Sequence, residues 1–145
     1  SVVPFILRWP GHARVCESKA VLSQVDAIAT LAHMVGAKVP QGAAPHSQEM
    51  TKSWLGKSRS SRPYAIKMAA NHALVLRTKK WKYIEPSKGG PMVSWGPKIE
   101  TGYKSVPQLY RITDDQAEQT NEAEQYPRLV KQFQHQIDIL REPKP

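Results

Sequence analysis

Leu76-Arg77-Thr78-Lys79-Lys80-Trp81-Lys82-Tyr83-Ile84 carries the period-two pattern from which the architecture follows. Leu74 and Leu76 alternate with Val75 and Arg77, and Trp81 and Tyr83 alternate with Lys80 and Lys82. Side chains leave a strand on opposite faces in turn, so each run predicts an antiparallel strand with one covered face and lysines on its wet face. Upstream, Tyr64, Ile66 and Met68 repeat the pattern; downstream, Gln108-Leu109-Tyr110-Arg111-Ile112 predicts a further strand. Between them, residues 87–106 hold Gly89, Gly90, Pro91, Gly96, Pro97 and Gly102 and read as a long exposed loop. Pro127 suits the first position of a helix, with Leu129, Val130, Phe133, Ile137 and Leu140 on one face and an end near Arg141, before Pro143. The predicted class is α+β: a small antiparallel sheet with a C-terminal amphipathic helix packed on it.

The N-terminal part reads differently. Val2-Val3-Pro4-Phe5-Ile6-Leu7-Arg8-Trp9 is almost continuously apolar and closes on Pro10-Gly11. Such a run suits a strand buried on both faces, yet no βαβ alternation follows to supply its neighbours, so the segment looks like part of something larger. Ser23 and Asp26 have the spacing of a capping box. Val25, Ile28, Ala29, Ala32 and Val35 then recur at helical spacing, Leu31 and Met34 widen the stripe, Gly36 suits the C′ position and Pro40 stops continuation. This helix is expected to be mostly buried, with His33 packed beside its apolar face. Residues 37–63 read as a connecting loop with a short helix from Glu49 to Leu55, ended by Gly56.

Among 145 residues, 21 Lys and Arg face 12 Asp and Glu, but the surplus is uneven. Residues 1–112 carry a net charge of +12 and residues 113–145 a net of −3. A basic middle attracts polyanions, whether nucleic acid or an anionic substrate. No apolar run approaches the roughly 20 residues of a membrane span, and no basic segment precedes the N-terminal apolar run as a signal peptide would require. A single cysteine, Cys16, excludes an internal disulfide and a cysteine-based zinc cluster. Neither common Gly-rich phosphate loop is present.

Few residue groupings suggest chemistry by themselves. Arg77, Lys79, Lys80, Trp81 and Lys82 interleave cations with an aromatic ring, as nucleic-acid platforms do, although a strand with one wet face explains the same pattern. Asp114, Asp115 and Glu118 suit a carboxylate or cation site, but the turn after the strand ending at Ile112 is the favoured reading, because Asp favours turns. Glu17 beside Cys16 works against a reactive thiolate. His12, His33, His46, His72 and His135 are scattered, and none follows a nucleophile-elbow serine or cysteine.

Three segments in order resemble the C-terminal portion of a sulfatase, in the arylsulfatase branch of the alkaline-phosphatase superfamily. Val3-Pro4-Phe5-Ile6-Leu7-Arg8-Trp9-Pro10-Gly11 resembles a family strand and turn. Ser23-Gln24-Val25-Asp26-Ala27-Ile28-Ala29-Thr30-Leu31, with Gly36 and Pro40, resembles the helix that follows it. Residues 76–84 resemble the family's R-x-x-K/R-W-K-Y/L strand, and Leu109-Tyr110-Arg111-Ile112 leads through Asp115 to Glu118 and Asn121 like its L-Y-D-L…D-P-x-E…N-L-A stretch. The resemblance implies that residues 1–40 are the last strand and helix of the α/β core, 41–62 a connecting loop and 63–145 the antiparallel C-terminal subdomain.

The resemblance further implies a sulfuric ester hydrolase whose formylglycine nucleophile and calcium site lie upstream. Ser58-Arg59-Ser60-Ser61-Arg62 comes nearest the C/S-x-P/A-x-R nucleophile motif, with Ser60 at the third position, and Cys16 does not fit it. No catalytic or metal-binding residue is therefore expected in this chain, which alone is expected to be inactive. Lys67 and His72, flanking the turn between two strands, are the candidates for the substrate rim. The implied partners are the upstream catalytic part and a sulfated small molecule or glycan, with no nucleic acid and no membrane. Relatives are periplasmic, extracellular or lysosomal. Two rival readings are a stand-alone basic module for polyanions and a partner chain that completes another polypeptide's sheet through residues 3–9.

Overall fold

In the computed structural model, which describes residues 3–69, 71–90, 92 and 101–141, the chain forms two units, Ser1–Pro63 and Tyr64–Pro145. The first is organised by Asp26. A 3₁₀ turn, Gln24–Asp26, leads into helix α1, Ala27–Met34. The Asp26 carboxylate accepts the Ser23 backbone N–H at 3.2 Å, which is the carboxylate half of the expected capping box. The short helix α2, Thr51–Trp54, follows. It stops at Gly56, whose φ of +67° is open to glycine at little cost.

In this chain by itself, two elements of the unit take a different local arrangement from the one expected. Residues 3–9 form no strand, and Ile6 is 89% exposed. A strand needs an edge to take its N–H and C=O groups, and the described remainder of the unit is helix and coil. Helix α1 also turns its apolar stripe outward: Val25, Ile28, Leu31 and Val35 are all exposed. Its inward face is polar, with Asp26 and Thr30, four residues apart, fully buried. Thr30 Oγ1 accepts the Met50 N–H at 3.1 Å and Ser47 Oγ accepts the Ala29 N–H at 3.0 Å, so hydrogen bonds bind this face to the 46–50 segment. His33 is exposed, with Nδ1 3.0 Å from Thr51 Oγ1, rather than packed.

In the second unit, strands β1 (Ala65–Met68), β2 (Leu74–Arg77), β3 (Trp81–Ile84) and β4 (Gln108–Arg111) pair antiparallel in chain order. The register matches Ile66 with Leu76, Leu76 with Tyr83 and Tyr83 with Leu109. That row lies beneath helix α3, Pro127–Arg141, whose Phe133 and Ile137 join Leu76, Tyr83, Leu109 and Ala123 in one core. Leu129 and Val130 pack against its margin, as the helical spacing predicts. The Tyr83 hydroxyl donates to Gln134 Oε1 at 2.7 Å, so its polar tip is satisfied while its ring is buried.

The opposite face is not simply wet. Ile84, Tyr110 and Ile112 form a second buried cluster with Val75 against it. Lys82 lies on this face with a side chain only 15% exposed, paired with Glu118. The loop expected over 87–106 falls partly outside the described residues; within them, the Ser87 N–H donates to the Lys104 carbonyl at 2.8 Å. Asp114 and Asp115 form a turn: Asp115 accepts the Gln119 and Thr120 N–H groups at 3.0 and 2.8 Å, which holds its carboxyl below the usual range.

Candidate functional site

The β1–β2 hairpin positions both sequence-derived rim residues. Its loop closes by Ala69 N–H to the Ala73 carbonyl at 2.8 Å and His72 N–H to the Ala69 carbonyl at 3.0 Å. His72 takes φ +68° at the tip, a left-handed conformation uncommon for a side chain other than glycine, Asn or Asp. Asn71 fixes that tip. Its Oδ1 accepts the Ala73 N–H at 3.1 Å, its Nδ2 donates to the Lys88 carbonyl at 2.9 Å, and its own N–H donates to the Tyr103 hydroxyl at 2.9 Å.

Between this tip, the exit of β3 and the end of α3 lies a cleft of about 310 Å³. Asn71, His72, Glu85, Ser87, Lys88 and Arg141 line it. Glu85 is buried; it accepts the Leu74 N–H and an Arg141 Nη2 hydrogen bond at 2.5 Å. Burial of a carboxylate is costly unless it is paired, and Arg141 supplies the pair. Ser87 Oγ is buried without a partner among the described residues.

His72 thus belongs to this cleft, whereas Lys67 is not among the residues lining it. Lys67 is exposed and pairs with Val75 in register, on the same sheet face as Arg77 and Lys82. Partial burial, then repulsion from Lys82 and Arg77, pulls its ammonium below the ordinary lysine value. The sequence reading missed Ser87, Lys88 and Arg141, which meet His72 only because β3 and α3 end beside the hairpin. Nothing in their spacing announces that meeting.

The other candidates are accounted for structurally. Arg111 occupies the neighbourhood of Trp81: its guanidinium lies 5.0 Å from the Trp81 ring centre, and the Tyr126 ring lies 5.1 Å away. The Glu122 carboxylate accepts from Arg111 at 2.9 Å and holds it in place. A stacking platform would need that aromatic face open. Within residues 58–62, Ser58 Oγ accepts the Ser60 N–H, Ser61 Oγ accepts the Val21 N–H and Arg62 pairs with Asp26. That segment fastens the loop. Cys16 is exposed and unpaired.

Among the described residues, no group of three or more His, Cys, Asp or Glu could hold a metal ion. No described helix is long and apolar enough to cross a membrane.

No family model matches the chain. It is 36% identical over 139 residues to an N-acetylgalactosamine-6-O-sulfatase of Bacteroides thetaiotaomicron, a match covering 96% of this chain and 27% of the relative. It is 26% identical over 155 residues to arylsulfatase K of Bos taurus, covering 99% and 26%. A solved 6S-sulfatase structure, from work on metabolism of multiple glycosaminoglycans by Bacteroides thetaiotaomicron, superposes with TM-score 0.89 at 36% identity over 94% of this chain and 28% of its own. A 2-O glycosaminoglycan sulfatase shares the fold at TM-score 0.54 and 18% identity, over 79% of this chain and 23% of its own. The chain thus spans about a quarter of the length of the relatives it matches.

Proposed function

We propose, from the premise that this chain has the sequence and fold of the C-terminal portion of a sulfatase, that its parent hydrolyses a sulfate ester on a glycan. The reading rests on 36% identity held across 96% of the chain. In it, residues 3–9 pair as a strand of the parent's larger sheet. The outward Val25, Ile28, Leu31 and Val35 are the surface that the upstream catalytic part covers. Residues 1–40 belong to the α/β core, 41–62 connect, and 63–145 form the subdomain that rims the substrate through Lys67 and His72. Formylglycine would supply the attacking oxygen and calcium would neutralise the sulfate oxygens, both from upstream segments. The net charge of +12 over residues 1–112 favours a polyanionic substrate.

The test is sulfate release by the complete reading frame that contains these residues, assayed on 6-O-sulfated N-acetylgalactosamine and on an aryl sulfate. Activity is expected on the sugar, metal-dependent and abolished when residues 64–145 are deleted, and residues 1–145 alone are expected to be inactive. In the active protein, Lys67→Ala and His72→Asn should raise KM more than they lower kcat. Saturable, metal-dependent turnover by purified residues 1–145 would overturn the reading, as would a complete protein that releases no sulfate from any ester.

A further inference from the structure

The cleft beside the hairpin tip is small, lined by both polar and apolar groups, and framed by side chains that already have partners. Its volume, about 310 Å³, lies at the low end of ligand sites, which span roughly 300–1,000 Å³. Asn71 spends its side chain on the Ala73 N–H and the Lys88 carbonyl, so the tip and the exit of β3 keep a set spacing. Glu85 is occupied by the Leu74 N–H and by Arg141, and the latter pair is close to neutral. The charge that remains is the exposed Lys88 ammonium on one wall, and the exposed His72 imidazole on the other offers a ring N–H donor. Ser87, on the same wall, keeps a buried hydroxyl with no partner among the described residues, which a bound acceptor would have to draw out. A donor-rich wall with an unspent hydroxyl and an excess of cation suits a group that accepts several hydrogen bonds and carries negative charge.

We propose that this cleft is an oxyanion subsite, in which Lys88, His72 and Ser87 take the sulfate or carboxylate of an acidic sugar residue. The inference rests on the sulfated-glycan reading for its biological setting, but the cleft can be probed without turnover. Arg141 keeps its bond to Glu85 and stands at the edge as a second donor. A subsite of this kind lets a protein grip an acidic sugar away from the bond being broken, so that its loss weakens binding more than chemistry. With one or two charge-assisted contacts and no Phe, Tyr or Trp among the described lining residues, affinity for one sugar belongs in the millimolar range.

The experiment is amide-resolved NMR titration of the 145-residue chain with three probes: N-acetylgalactosamine 6-sulfate, glucuronic acid and uncharged N-acetylgalactosamine. Saturable shifts are expected at residues 71–73, 85–88 and 141 with one or both acids and not with the neutral sugar. A response to the first acid identifies sulfate as the anion, and a response to the second identifies carboxylate. Lys88→Glu and His72→Asn should each weaken the response at least about fivefold; asparagine tolerates the left-handed backbone at the tip, so the fold is kept. Lys79→Glu, an exposed change on the β2–β3 turn, should alter it less than twofold. Equal shifts with the neutral sugar, equal loss in the Lys79 variant, or no saturable shift at these residues overturns the subsite. Sulfate release by the complete protein is a separate readout, so a failed cleft and a failed sulfatase reading give different results.

Discussion

Replacing Asp26 by alanine should loosen the first unit by more than any surface change in it. The carboxylate is fully buried. It takes the Arg62 Nη1 at 3.0 Å, the Gln48 N–H at 3.0 Å and the Ser23 N–H at 3.2 Å. The truncation strands the Arg62 guanidinium, whose side chain is 12% exposed, together with two backbone donors. Removing one partner of a buried pair costs about 3–5 kcal/mol, because the other charge stays behind without compensation. At about 1.4 kcal/mol per decade, the opening that exposes this segment becomes between about a hundredfold and a few thousandfold more populated. Native-state hydrogen exchange reads that quantity directly at the Met50 and Ala29 amides, which are held by Thr30 and Ser47 and not by the mutated group. The double variant Asp26→Ala/Arg62→Met removes the stranded cation and should recover at least about 1 kcal/mol relative to additivity. Exchange of Met50 and Ala29 within threefold of wild type, or strict additivity in the double variant, would refute the role given to this pair.

Two further predictions concern the second unit. Burial, then the Glu85 and Asp138 charges, push the Tyr83 hydroxyl up to about 12 from 10. The phenolate forms first in the unfolded chain, so this contribution to stability is complete below pH 10 and is lost as pH rises from 10 toward about 12, a swing of about 2–3 kcal/mol. Absorbance at 295 nm should show a late-titrating component that Tyr83→Phe removes, and no such component above pH 11 would contradict it. Ile137 is fully buried between α3 and the sheet; Ile137→Ala should cost about 2–5 kcal/mol in chemical denaturation, and a cost below 1 kcal/mol would place the core elsewhere.

The second unit was readable because local pattern and burial agree there. Alternation in residues 64–68, 74–77 and 81–84 marks the strands that form, and the spacing of Leu129, Val130, Phe133 and Ile137 marks the helix face that packs. Pro127 opens that helix as its missing N–H allows. In the first unit the same logic located helix α1 but reversed its orientation. Periodicity identifies an apolar stripe, whereas which face is covered depends on what lies opposite. Here the 46–50 segment offers N–H and C=O groups, so Asp26 and Thr30 turn inward and the valines, Ile28 and Leu31 turn out. Residues 3–9 have strand composition but no edge to pair with among the described residues.

Residue types and order alone were sufficient for the α+β class, the succession of elements from residue 64 onward and the likeness to a sulfatase's C-terminal portion, since each depends on local periodicity or on motif spacing along the chain. Three things required the folded coordinates. Lys82, expected on a wet face, is nearly enclosed with Glu118. Arg62, read from a near-motif for a nucleophile, is a structural counter-ion to Asp26. His72, Ser87, Lys88 and Arg141, separated by up to 69 residues, share one cleft because a hairpin tip, a strand exit and a helix end meet there. Contacts between residues far apart in sequence leave no periodic trace in it, and the candidate site is made entirely of such contacts.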